Sequence, residues 1–396
     1  MALLLIGCEG GDRRVLQLDS GPIFYRADGV YRGIPYAAPP LGPRRWMPPQ
    51  PVTPWTAPRR ADAFGPVCPQ PGYSGAMSED CLFLNVWTPA KSVGERLPVM
   101  VWIHGGAFTY GSGSDEIYDG AALADKGVVV VTFNYRLGVL GFLAHPSLSA
   151  ESPHQVSGNY GLLDQVAALS WVQRNIAQFG GDPHRVTIFG QSAGAESVSL
   201  LLVSPLAQGL FHAAIAESPV MVGSLRPLRH KELGVIPAET VGVRLAEELG
   251  LAPASDVASA LRQVPWDHLH AAAVKLEPKY GVEILHMVCC PTVDGWVIPE
   301  HPVKMFRQGR RHPIPLLTGI TTNESTIFLP WLIPHINSPE AYRQYLDAAF
   351  GKNAGQVFQL LPVTSHDLWT EGLYLAGILV CGVIFWLVSR AEGAKK

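Results

Sequence analysis

The residues best suited to do chemistry in this chain are Gly190-Gln191-Ser192-Ala193-Gly194, which lie where the apolar run Val186 to Phe189 passes into a helix-forming stretch. A serine hydroxyl is a weak nucleophile at neutral pH. It becomes useful when a sharp strand-to-helix turn exposes it, a base can take its proton, and backbone N–H groups can receive the oxyanion. Glycines at 190 and 194 permit that turn and the close approach of strand and helix. The expected chemistry is acyl transfer through Ser192. A second glycine run, His104-Gly105-Gly106-Ala107-Phe108, follows the apolar stretch Pro98 to Ile103 and would let backbone N–H groups approach a substrate oxygen.

The flanks of the elbow narrow the reading. Phe179-Gly180-Gly181, followed by Val186, Ile188 and the serine pentapeptide, resembles the serine signature of the type-B carboxylesterase family of α/β-hydrolases. Around a cysteine, Glu79-Asp80-Cys81-Leu82-Phe83-Leu84-Asn85-Val86-Trp87-Thr88-Pro89 is similar to the family's second signature. Gly33-Ile34-Pro35-Tyr36-Ala37, Asn134-Tyr135-Arg136, Gly158 to Gln165 and Pro291 to Gly295 extend the likeness in the same order.

The resemblance implies several roles. The oxyanion donors would be the N–H groups of Gly105, Gly106 and Ala193. Glu324, in Thr321-Thr322-Asn323-Glu324-Ser325 after the apolar run Pro315 to Thr318, would be the acid of a catalytic triad, although a glycine is usual where Ser325 stands. Cys68 and Cys81 would form a disulfide, implying an oxidising compartment; the alternative is a pair of buried thiols in a cytosolic enzyme. The substrate class would be a small-molecule carboxylic ester, with no metal and no organic cofactor. A cholinesterase-like substrate lacks support, because no tryptophan in the Cys68 to Cys81 loop could form a cation–π platform for a quaternary ammonium. Trp102, Phe108, Tyr110 and Trp296 are candidates for an acyl or alcohol pocket, or for the core.

The general base is the gap in this pattern. The resemblance places it well beyond the acid, in a His-Gly pair. Only His335 and His366 lie downstream of Glu324, and neither precedes a glycine. His366, in Thr364-Ser365-His366-Asp367, also reads as a helix N-terminus. Two functions follow: an ester hydrolase acting through a Ser192 acyl-enzyme, or a C-terminally short, impaired hydrolase-fold protein that at most binds a ligand or partner.

The elements that must position these residues are legible in outline. Alternating residues in Val15 to Leu18, Ile23 to Arg26 and Val30 to Ile34 predict short antiparallel strands, and the Pro-rich stretch from Pro39 to Pro54 must be extended or looped. Apolar runs at Pro98 to Ile103, Val128 to Thr132, Val186 to Phe189, Ala213 to Ala216 and Pro315 to Thr318 read as fully buried parallel strands. Helical patterns over Leu162 to Phe179 and Ala193 to Leu202 alternate with them. The expected fold class is therefore α/β, an α/β-hydrolase with a mostly parallel central sheet and antiparallel N-terminal strands. One such domain is expected over 13–372, with a helical cap insertion at about 220–310 carried by Val241 to Leu251, Ser255 to Gln263 and Pro265 to Ala273.

The bulk numbers set the remaining bounds. With 396 residues, 47% of them hydrophobic, the chain can bury a large core. A net charge of −3 with scattered basic residues leaves no electrostatic footprint for nucleic acid. Of the six cysteines, the adjacent Cys289 and Cys290 read as core, and no spacing suggests zinc. Leu5-Ile6-Gly7-Cys8 is similar to a lipobox, so residues 1–12 read as a signal or lipobox remnant, or as a first strand. The nearly uncharged run Leu373 to Val388, within an apolar helix expected over 373–390, reads either as a core helix or as a membrane anchor. Membrane association through Cys8 lipidation or this helix would make the protein secreted, periplasmic or envelope-associated; a cytoplasmic location is the alternative.

Overall fold

The structure is a computed structural model that describes residues 13–26, 28–219, 225–230, 235–251, 254–280, 288–321, 340, 343–344, 347 and 354–360. The chain divides into two compact units, Met1–Thr318 and Gly319–Lys396. In the second, the described helix is Ala354–Leu360.

The first unit is built on a 7-stranded sheet. In chain order the strands of the structure are β1 (Arg13–Gln17), β2 (Pro22–Arg26), β3 (Val30–Pro35), β4 (Arg59–Arg60), β5 (Phe83–Trp87), β6 (Leu97–Ile103), β7 (Val129–Phe133), β8 (Gly181–Gln191), β9 (Ala213–Glu217), β10 (Arg226–Pro227), β11 (Thr292–Val293) and β12 (Leu316–Gly319). The large sheet has the order β12-β9-β8-β6-β7-β5-β3, while β1, β2 and β4 form a 3-stranded sheet and β10 pairs with β11.

β-branched residues account for the centre of this sheet. All five residues of β7, Val-Val-Val-Thr-Phe, are buried, because a strand covered on both faces has no position for a solvated side chain. β7, β6, β8 and β9 run parallel. β5 is antiparallel to β7, and β3 is antiparallel to β5. The fold class expected from the sequence is thus present, with its antiparallel strands at the N-terminal side.

Phe83 to Trp87, within the cysteine signature, also forms a strand of the main sheet, which the sequence pattern did not single out. One reading needs correction. Pro315 to Thr318, expected to be fully buried, supplies the outermost strand of the sheet among the described residues, with Leu317 66% exposed. Its apolar run is the same as that of an inner strand, and only its place in the strand order differs.

Helices cover the sheet: α1 (Ala121–Ala124), α2 (Gly138–Phe142), α3 (Pro146–Glu151), α4 (Tyr160–Asn175) and α5 (Ala193–Val203). α4 ends in a short 3₁₀ turn, Ile176–Phe179, stopped by Gly180 in the left-handed conformation at φ 76°. Every residue of α5 is buried, which matches its mean composition of small and aliphatic side chains. Further along, α6 (Ala238–Glu248), α7 (Val257–Gln263) and α8 (Trp266–Tyr280) overlap the helices expected over Val241 to Leu251, Ser255 to Gln263 and Pro265 to Ala273. α9 (Pro302–Arg307) precedes β12.

Two buried polar ties hold loops to this frame. Arg136 makes a two-pronged pair with Asp164 of α4, at 2.8 Å from Nε and 2.7 Å from Nη2. Asn159, just before α4, donates to Thr292 O at 2.7 Å and accepts from Thr292 N at 2.9 Å, so one side chain takes the place of a neighbouring strand beside β11.

Candidate active site

The register of two parallel strands assembles the site. Ile103 at the end of β6 is paired with Gly190 near the end of β8. The segments that leave those strands, His104-Gly105-Gly106 and Gln191-Ser192-Ala193, therefore emerge side by side at the carboxyl edge of the sheet. Ligands of open α/β sheets bind at that edge.

Ser192 sits at φ 56° and ψ −125°, between β8 and the first turn of α5. A non-glycine residue at positive φ is strained, and strain of this kind persists where surrounding structure over-determines it. Here the surroundings are explicit. Ser192 N–H donates to Glu217 O at 3.0 Å, and Ser192 O accepts from Glu196 N–H at 2.8 Å. Behind the turn, a Cβ on Gly194 would lie 2.0 Å from Ile103 O, so only glycine lets α5 descend this close to β6.

Gly105 faces the serine. A Cβ there would stand 2.8 Å from Gln191 O and 3.4 Å from Ser192 Cβ. The loop then turns tightly: Gly106 O accepts from Thr109 N–H at 2.9 Å and Tyr110 N–H at 3.0 Å, while Ala107 and Phe108 take φ values of 53° and 58°. Among the described residues, the N–H groups of Gly105 and Gly106 have no carbonyl partner. Ala193 is the first residue of α5, where a helix leaves its N–H donors unpaired and carries the positive end of its dipole. Three donors thus border the Ser192 turn.

His104 is the floor of this loop. Its side chain is fully buried, its Nδ1 is 2.8 Å from Gly105 O, and its ring stacks on Tyr135 with centroids 4.3 Å apart. The Tyr135 hydroxyl donates to His104 O at 2.9 Å. Since a carbonyl only accepts, Nδ1 carries the proton, and Nε2 is left as a buried acceptor with no partner among the described residues. Burial pushes the His104 pKa down to about 4, against the smaller opposing effect of the Gly105 bond. The ring is therefore neutral at pH 7. Among the described residues, no histidine is hydrogen-bonded to the Ser192 side chain.

The other expected residues are distributed as follows. Cys68 and Cys81 are joined by a disulfide, and Cys289 and Cys290 are both buried. Glu324, His335, His366, Cys8 and the 373–388 run lie outside the described residues. Phe108 is fully buried core, Tyr110 is 52% exposed, and Trp102 packs against Tyr118 and Phe189. Trp296 stacks on His154 and lines a cavity of about 60 Å³ with Trp46, Leu148 and Tyr160, and Ser192 is not among the residues that line it. Sequence reasoning passed over Gln70, which reaches the glycine loop from inside the disulfide loop; no periodicity or motif announces it.

A serine on a strained turn between a parallel strand and a helix, facing a glycine loop from the next strand, defines the α/β-hydrolase fold. Comparison with known proteins carries this to a family. Residues 25–358 match the model of the carboxylesterase family, and the chain belongs to it. It is 43% identical to the fumonisin B1 esterase of Sphingopyxis macrogoltabida over 85% of this chain and 60% of that protein. To the para-nitrobenzyl esterase of Bacillus subtilis it is 42% identical over 92% of this chain and 72% of the relative. The solved structure of a Geobacillus stearothermophilus carboxylesterase superposes with a TM-score of 0.78 at 38% identity, covering 92% of this chain and 74% of that one. The chain thus spans 60% of the length of the fumonisin esterase and about three quarters of the solved relative. Among the described residues no helix is long and apolar enough to cross a membrane, and no group of histidine, cysteine and carboxylate side chains could hold a metal ion.

Proposed function

We propose that this protein is a serine carboxylic ester hydrolase working through a Ser192 acyl-enzyme. The observation that carries the reading is Ser192 at φ 56° with Gly105 packed against it. Its Oγ attacks the ester carbonyl carbon while a base takes the hydroxyl proton. The carbonyl oxygen, now an oxyanion, is held by the N–H groups of Gly105, Gly106 and Ala193, which need no reorganisation because loop and helix fix them beforehand. The C–O bond breaks, the alcohol leaves with the proton, and water attacks the acyl-enzyme to release the acid. Glu324 orients the base, for which His335 and His366 are the candidates. The substrate class is a small-molecule carboxylic ester, as the names of the relatives suggest, and the disulfide favours an oxidising compartment outside the cytoplasm.

Intact mass after treatment with a fluorophosphonate tests this reading. A single adduct on the wild type that Ser192→Ala loses is the expected result. A wild type shown folded by circular dichroism that takes up no adduct would mean that nothing activates Ser192, and the protein would be an impaired member of its family.

A further inference from the structure

The glycine loop is held from outside by one buried amide. Gln70 is only 5% exposed, two residues beyond Cys68 in the loop that the disulfide closes. Its Nε2 donates to Gly111 O at 3.0 Å and to Cys68 O at 3.1 Å, and its Oε1 accepts from Gly111 N–H at 2.8 Å. One side chain therefore takes both backbone groups of Gly111, as a neighbouring strand would. Gly111 in turn lies on the glycine loop: a Cβ there would come within 2.6 Å of His104 Nδ1 and 2.8 Å of Gly105 O. Both atoms belong to the bond that shapes the His104-Gly105 turn. Beyond Gly111 the segment is tied again, with Gly113 N–H donating to Asn134 Oδ1 at 2.9 Å.

We infer that Gln70 is a positioning residue for the oxyanion donors, through which the Cys68–Cys81 loop sets the place of Gly105 and Gly106 against Ser192. The inference rests on the ester-hydrolase reading of the site. Without the amide, both backbone polar groups of the half-buried Gly111 lose their protein partners, and the loop can shift as they find others or water. An error of about 1 Å in such donors costs about 100-fold in rate.

The test is the rate of fluorophosphonate adduct formation on Ser192 in wild type, Gln70→Met and Gln70→Glu. A phosphonate oxygen uses the same donors as an ester oxyanion. Gln70→Met removes all three bonds of the amide at nearly constant size and should label about 10- to 100-fold more slowly. Gln70→Glu gives the sharper outcome. As a neutral acid its O–H can donate to Gly111 O while its carbonyl accepts from Gly111 N–H; as a carboxylate it can only accept. Burial favours the neutral form. Its rate relative to wild type at the same pH should therefore approach unity in mild acid and fall as the pH rises. A role confined to filling space would leave that ratio flat, and a flat ratio overturns the inference, as does a folded Gln70→Met that labels at the wild-type rate. Should wild type itself take up no adduct, the ester-hydrolase reading fails separately. Amide exchange then decides: faster exchange at residues 104–111 in Gln70→Met upholds the clamp, and unchanged exchange refutes it.

Discussion

His104 shows how a group with obvious chemical capability is withdrawn from chemistry by its surroundings. It lies in the glycine loop, close to the serine in space, yet the stack on Tyr135 and the bond to Gly105 O leave it neutral and enclosed. The consequence is a pH dependence of stability. An unfolded histidine takes a proton near its ordinary value of 6.5, whereas the folded one resists until about 4. The unfolded state therefore binds more protons between these values. The contribution of His104 is complete above about pH 6.5 and is lost as the pH falls toward 4, amounting to about 3 kcal/mol. Denaturant unfolding at stepped pH should show this slope, and His104→Gln should reduce it by close to one proton. An unchanged slope in the variant would mean that His104 is solvated or already charged.

At the level of elements, the strand-to-helix junction is a tight joint of the site. β8 must end beside β6, and α5 must begin almost on top of Ile103 O. Gly194 makes that approach feasible, so Gly194→Ala forces the helix away from the strand. Overpacking of this kind costs about 1–3 kcal/mol. We expect a lowered melting temperature together with slower labelling of Ser192, because the same displacement carries Ala193 N–H off its place. A variant as stable and as reactive as wild type would show that helix and strand are further apart than described. The same junction marks what was legible beforehand. The apolar run before Gly190 and the glycines around Ser192 state the turn in local terms. That Ser192 faces Gly105 depends on the pairing of Ile103 with Gly190, a long-range register that neither segment encodes by itself.

Over the whole molecule, the disulfide and the buried ion pair bind irregular segments to a sheet that is otherwise held by its own hydrogen bonds. The Cys68–Cys81 link closes a separation of 13 residues. Loop-closure entropy values such a link at about 3 kcal/mol. A Cys68→Ser, Cys81→Ser variant should be less stable to denaturant by about 3 kcal/mol, and reductant should shift wild type but leave the variant where it is. Equal stability of the two proteins would place the loop's anchoring in Gln70 and Asn134 alone. The sequence by itself determined the family, the alternation of strands and helices, the serine turn and the cysteine pair that the resemblance implied. These are written in short-range patterns: periodicity, glycine placement and signature residues. Tertiary structure alone decided that Phe83 to Trp87 is an inner strand and that Pro315 to Thr318 supplies an outer one. It also decided that His104 is sequestered and that Gln70 reaches Gly111. Each depends on which segments become neighbours, and neighbours are chosen by the packing of the entire sheet, a sum over distant residues that no local window contains.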